Sequence, residues 1–292
     1  MSAYLVNGTF RVTGGVPSGD SARFLPDDPE AFTQLGWAVR TNATGGARLR
    51  LAGIDALEAA YVPPGAITRW HQPTELARAG AAALTSALGF DSVTGDGDGR
   101  TVSSSPAATP GHLLAVGTDS YGRVVGFAYP GRRRRPVTDL SRVDLDAGVL
   151  RDSVNWMLLR QGLAYPVPFS RLHPSSRVEL VAAAAHAQGQ RRGVWPHDVT
   201  MTGFQLTDRD QLQDGVVVLP LLFRRLADYL ELEGVGAGAV NLSGFGRYLS
   251  ARGDRVLVLP QGELTGLASV VEVEQQQVRL SVPLESLAFF ER

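Results

Sequence analysis

The feature that most limits what this chain can build is a strand that stops itself. In ARLRLAGIDALE, residues 47–58, Leu49 and Leu51 fall on one face and Arg48 and Arg50 on the other, the two-residue period of a half-buried β-strand. Two carboxylates, Asp55 and Glu58, then follow around an apolar run where a core strand would gain nothing from either. Strict alternation puts Arg50 and Asp55 on opposite faces, so a chain that uses them together must end or bulge the strand. Gly53 is the natural place for that break.

Short alternating segments recur. Residues 4–12 and 20–25 read as strands around the turn GGVPSGD, and HLLAVGT and GRVVGFAY read as two more joined by DSYG. Between them the period changes to helix from Pro73, with Thr74 as cap, Leu76, Ala79, Ala83 and Ala87 on one face and Gly89 as the stop. The stretch 91–111 reads as a long surface loop, and its GDGDG lacks the downstream glutamate of an EF-hand. RDSVNWMLLRQGLA and SSRVELVAAAAHAQ read as helices, the first with Val154, Met157 and Leu158 on one face and Gly162 at a left-handed cap. The run Arg132 to Arg135 reads as a solvated loop. The Gly and Pro of GQRRGVWPHD close a first unit near residue 200. Domains of 1–200 and 201–292 are expected, the second a small α+β unit. There Leu222, Leu226, Tyr229 and Leu230 form a helical stripe and VEVEQQQVRLSV a hairpin. GVGAGAV follows a helix, the wrong context for dinucleotide binding.

Composition removes whole classes of chemistry. The chain has no cysteine, which excludes disulfides, thiolate nucleophiles and iron–sulfur clusters. All 28 basic residues are arginine, so Schiff bases and the Walker and kinase lysines are absent. No H-E-x-x-H or G-x-S-x-G spacing occurs. A net charge of −1 argues against a generally basic nucleic-acid binder but leaves room for a local positive patch. The N-terminus does not read as a signal peptide and no apolar run is long enough to span a membrane. The sequence as it stands therefore predicts a cytoplasmic chain, or a secreted one if a leader has been removed.

The order of parts is a strand pair with an acidic turn, R-x4-D-x2-E, a helix, a D-x-Y-G-R hairpin, N-x2-LLRQGLA and a closing GVW. In this it resembles the staphylococcal nuclease (thermonuclease) family over about residues 4–198. That resemblance implies an OB-type five-stranded β-barrel with packed helices, in a mixed β-plus-α fold. It implies Asp20, Asp55 and the carbonyl of Ala56 as ligands of calcium or another divalent ion, and Glu58 as general base. Arg50 and Arg123 would clamp the scissile phosphate, and Tyr121 would lie beside the nucleotide. Asn155 and Trp195 match family positions that read best as core groups. The family's D-T-P-E is here Asp55-Ala56-Leu57-Glu58, lacking the hydroxyl and the proline, so the turn that aims Glu58 is freer to relax. The matching aromatic pair after QGLA is displaced, with Pro168 and Ser170 in place and Tyr165 and Phe169 nearby.

The chemistry supports the same set of residues. Hydrolysis of a phosphodiester puts extra negative charge on its equatorial oxygens, which planar guanidinium groups and a divalent ion stabilise, while a carboxylate must take a proton from water. The implied activity is a calcium-dependent nuclease acting on DNA or RNA, a monomer without membrane association, leaving 3′-phosphate ends. The alternative is a catalytically weak or inactive OB-fold module that binds nucleic acid or protein.

Overall fold

The computed structural model describes residues 2–96, 99–132, 138–234 and 240–290. Residues 97–98 of GDGDG, Arg133 to Arg135 and residues 235–239 of GVGAGAV lie outside them. Five strands close a mixed barrel: β1 (Ser2–Arg11), β2 (Ser21–Pro26), β3 (Ala47–Leu51), β7 (Thr109–Thr118) and β8 (Val124–Pro130). They run in the cyclic order β1-β2-β3-β8-β7, antiparallel except where β3 meets β8, and β9 (Arg142–Asp144) adds to the start of β1. Alternation is clear in β3, where Leu49 and Leu51 are buried, and Leu5, Phe10, Phe24 and Phe127 join them in the core. This closed five-stranded barrel with helices is compatible with an OB-type fold.

The strand that stops itself does so at Gly53. Its φ of +74° needs a residue without a Cβ, and a Cβ there would also lie 2.6 Å from Leu180 Cδ1. The chain then re-enters a short strand β4 (Ile54–Asp55), paired with β10 (Tyr165–Pro166) rather than with the barrel.

Four details differ from the sequence expectation. The stretch 91–111 is not a long loop: β5 (Ser92–Gly95) and β6 (Thr101–Ser105) form a hairpin, and β7 begins at Thr109. After the short α1 (Ala31–Gln34), α2 spans Thr74–Ala87 with Pro73 in the cap position, and Thr74 makes no cap bond. Its buried face is Ala77, Gly80, Ala81 and Leu84, while Ala79 is exposed; alanine marks a helix face poorly because it is at ease on either side. RDSVNWMLLRQGLA starts at the last residue of a separate helix, α3 (Ala147–Arg151), and its own helix α4 (Val154–Arg160) begins only after Ser153, whose hydroxyl caps the amide of Trp156. The helix α5 (Pro174–Gly189) packs against both.

Past residue 200 the chain forms α6 (Pro220–Leu232), α7 (Phe245–Arg252) and two three-stranded sheets. One joins β11 (Phe204–Gln205), β15 (Gln277–Leu280) and β14 (Val271–Glu274). The other joins β13 (Glu263–Gly266), β12 (Arg255–Val258) and β16 (Leu287–Phe289). The expected stripe of Leu222, Leu226, Tyr229 and Leu230 is buried in a second core, which also takes in Leu57, Trp70, Ala77, Tyr165 and Val194. Polar bonds follow the same seam: the Tyr61 hydroxyl donates to Asp228 at 2.6 Å, and Gln72 Nε2 to the Val218 carbonyl at 2.8 Å.

Asn155 shows how the barrel is tied to its helices. Its Oδ1 accepts from the Ala128 amide at 3.0 Å and its Nδ2 donates to the Ala52 and Gly126 carbonyls, all without solvent access. Asn155→Ala leaves buried backbone groups unpaired and should cost about 2–4 kcal/mol in urea unfolding. A change under about 0.5 kcal/mol would show that water replaces the amide at no loss.

Candidate functional site

Register assembles the site. The β2–β3 pairing sets Ser21 opposite Arg50, and the amide of Leu51 donates to the Asp20 carbonyl at 2.9 Å, so Asp20 arrives beside Arg50 from 30 residues away. The Gly53 break turns Asp55 back to the same point. The Arg50 guanidinium consequently bridges the two carboxylates, with NH1 on Asp20 Oδ2 and NH2 on Asp55 Oδ1 at 2.8 Å. Ser18 Oγ and the Ala56 amide also donate to Asp20, at 2.8 and 3.2 Å. Gly19 lacks a side chain for a reason visible here: a Cβ on it would lie 2.7 Å from Ala56 Cβ, so the acidic turn and the Asp55 turn touch.

Glu58 is aimed by parts that the motif did not announce. Where a proline would stiffen the turn, Leu57 is instead buried in the second core, and Gln72 clamps the backbone. The Glu58 amide donates to Gln72 Oε1 at 3.1 Å and the Gln72 amide donates to the Glu58 carbonyl at 2.8 Å. The main surprise is Arg224 on α6. It donates from NH1 to Glu58 Oε1 at 2.5 Å and to Asp55 Oδ1 at 3.2 Å, and from NH2 to Asp55 Oδ2 at 2.8 Å. No motif flags this residue, because an arginine beside the apolar stripe of an amphipathic helix carries no local sign of a buried partner.

Arg123 precedes β8, whose Val125 pairs with Arg50. Asp119 holds it in place, accepting from its amide at 2.9 Å and its Nε at 2.6 Å, and from the Tyr121 amide at 3.0 Å. Tyr121 is 67% exposed, with the Arg123 guanidinium 5.5 Å from its ring centroid, so it is a solvent-facing aromatic and not one packed on the barrel. Trp195 rests edge-on against Tyr165 at 5.2 Å, away from these groups. Arg132 pairs with Asp27.

All of Asp20, Arg50, Asp55, Glu58, Arg123, Tyr121 and Arg224 line one cleft of about 840 Å³ between the barrel and the C-terminal part. Among the described residues that lining carries nine arginines against five carboxylates, in a chain whose net charge is −1. The local positive patch therefore exists. Burial raises the Glu58 pKa, and although Arg224 opposes this, the neighbouring Asp20 and Asp55 reinforce it, leaving the carboxyl above its ordinary value. Asp20 goes the other way: burial alone would raise it, but the Arg50 charge and the bonds from Ser18 and Ala56 hold it below. The Arg50 and Arg224 guanidinium groups lose solvation on burial, but their carboxylate partners keep them firmly protonated.

The donor types suit a hard divalent ion, since Asp20 and Asp55 converge on one guanidinium and can converge on one cation. Both Asp55 oxygens are engaged by Arg224 and one by Arg50 as well, so a cation binds there only in exchange for a guanidinium. No protein-family model matches the chain, and no curated protein matches it significantly.

A group whose folded pKa is depressed contributes stability above its unfolded value, near pH 4, and loses it as pH falls through the folded value. Asp20 is such a group, so stability should decline on that acid limb, and Asp20→Asn should make the limb shallower by up to one proton in the linkage slope. An unchanged slope in chemical unfolding between pH 2 and 5 would show that Asp20 is not held low.

Proposed function

We propose that the protein is a metal-dependent nuclease of the staphylococcal-nuclease type, hydrolysing phosphodiester bonds of DNA or RNA in the cleft between its two cores. The observation that carries this reading is the cluster itself. Arg50 bridges Asp20 and Asp55 beside a buried Glu58 of raised pKa, with Arg123 held into the same arginine-lined cleft. The cluster also joins the two cores, but an apolar seam would do that without burying charge, so the charges themselves favour a binding or catalytic role.

In this reading Arg50 and Arg123 take the non-bridging oxygens of the scissile phosphate, their planar forks matching charge that grows towards the transition state. Glu58 orients a water and accepts its proton as the water oxygen bonds to phosphorus. The bond from phosphorus to the 5′ oxygen then breaks and the leaving oxygen takes a proton from solvent, which leaves a 3′-phosphate end. A raised carboxyl pKa suits that task, since a stronger base takes the proton more readily. Asp20, Asp55 and the Ala56 carbonyl are the residues that would hold a calcium ion. When bound, such an ion supplies positive charge next to the phosphate. A second reading, a nucleic-acid-binding module without turnover, is favoured by the Arg224 pairing, which engages Glu58.

Purified protein incubated with plasmid and with single-stranded DNA should cleave in calcium and stop in excess chelator. Cleavage undiminished by chelator would remove the metal from the proposal. No cleavage under any divalent ion, with binding intact, would favour the module. Glu58→Gln should lower turnover by about 10²- to 10⁴-fold with unfolding and binding near wild type, and the acid limb of the wild-type pH–rate profile should lie above the ordinary glutamate range. Wild-type turnover in a folded Glu58→Gln protein would assign proton removal to another group.

Arg123→Lys keeps the charge and loses the fork, so kcat should fall far more than affinity. A defect confined to binding would show that Arg123 grips the nucleic acid away from the scissile bond.

A further inference from the structure

We propose that the C-terminal part is half of the substrate site and that Arg224 is a phosphate-binding residue, a third guanidinium acting with Arg50 and Arg123 on the nucleic-acid backbone. This rests on the reading of the cleft as a phosphodiester site, but Arg224 lies outside residues 4–198, the span of the resemblance, so nothing in that likeness assigns it a role.

The geometry of its hydrogen bonds points to this. The end of the guanidinium, NH1 and NH2, forms a bidentate fork on Asp55, and the second NH1 proton goes to Glu58. Two donors remain, Nε and the second NH2 proton, which lie parallel along the side of the group and match two oxygens of a phosphate. Among the described residues no acceptor is bonded to Nε, and the side chain is 19% exposed in the cleft. Arg224 and Arg50 also share one acceptor, Asp55 Oδ1, so their charges stand side by side. A guanidinium fixed by two carboxylates loses little further freedom when it binds, which favours a ligand over a mobile surface arginine.

The wall around Arg224 has the same character. Arg252 lines the cleft with a buried Nε that has no hydrogen-bond partner. Arg255 lies 5.6 Å from the ring centroid of Phe290, an aromatic that is 38% exposed at the same cleft. Guanidinium groups alternating with open aromatic faces are what a single strand requires, charge for its phosphates and flat surface for its bases. Tyr121 and Arg123 present that pair on the barrel wall, and Phe290 and Arg255 present it opposite.

The test is binding of a fluorescein-labelled oligothymidylate, followed by anisotropy in chelator across a salt series, with unfolding measured for every variant. Arg224→Gln should weaken binding by about ten- to a hundredfold. It should also reduce the salt slope by about one, the signature of one lost phosphate contact. Arg224→Lys should keep the slope and lose part of the affinity. Removing Arg224 also leaves Asp55 and Glu58 without its charge, so the triple variant Asp55→Asn/Glu58→Gln/Arg224→Gln separates the two effects. If it still binds weakly with the reduced slope, the contact is direct. If it regains wild-type affinity and slope, Arg224 only masks the two carboxylates and the proposal falls. Equal or tighter binding by Arg224→Gln overturns it too, and if that variant does not fold, the lysine and triple variants decide. Wild type that binds the probe but cleaves nothing under any divalent ion ends the nuclease reading and leaves this inference standing. Wild type that does not bind it ends the inference itself.

Discussion

Asp55 is a carboxylate with none of its surface exposed, and the rest of the molecule is arranged around making that tolerable. Burying a lone carboxylate costs many kcal/mol, so the group must be paired on both oxygens or protonated. It is paired, by Arg50 from the barrel and Arg224 from α6. Neither guanidinium can be withdrawn alone without leaving a buried charge unmatched, a loss of about 3–5 kcal/mol in comparable sites. The two cores are therefore joined by an ion cluster as well as by apolar contact, and the cleft between them has a fixed floor.

That constraint gives the seam its other features. Leu57 and Trp70, either side of Glu58 in sequence order, are buried in the second core while Ile54 and Ala56 stay in the barrel core, so the chain crosses from one core to the other at Leu57. Gln72 completes the arrangement by bonding the backbone of Glu58 on one side and the Val218 carbonyl on the other. The rigidity that a proline at position 57 would provide locally is supplied here by packing between two units distant in the chain.

What the sequence could disclose follows the reach of each interaction. Alternation around Leu49 and Leu51, with the expected break at Gly53, is local, and the barrel strands were legible for the same reason. Arg50, Asp55 and Glu58 stand out locally as charges around an apolar run, whereas Asp20 is reached only through the family resemblance, and the β2–β3 register that brings it beside Arg50 is not written in its own segment. The exposed position of Tyr121 and the role of Asp119 depend on how one turn bonds to itself, which DSYG hints at without deciding. Arg224 was not legible at all. Its partner Glu58 lies 166 residues away, and an arginine on an amphipathic helix has the same pattern whether it meets water or two buried carboxylates.

Arg224 also changes what Glu58 is. Burial and two neighbouring aspartates draw the Glu58 carboxyl towards protonation, and the guanidinium draws it back, with the first influence prevailing. A base raised without limit would hold its proton at working pH and be useless, whereas one left at the ordinary value would be weak. The helix that carries Arg224 thus opposes, by direct contact, the rise that burial gives the Glu58 pKa. In the proposed hydrolysis, directing part of that guanidinium's charge to a phosphate would weaken its hold on Glu58 and make the carboxylate a stronger base when substrate is present. The pairing that holds Glu58 in the free protein would, in that proposal, be the means by which substrate binding and proton removal are coupled.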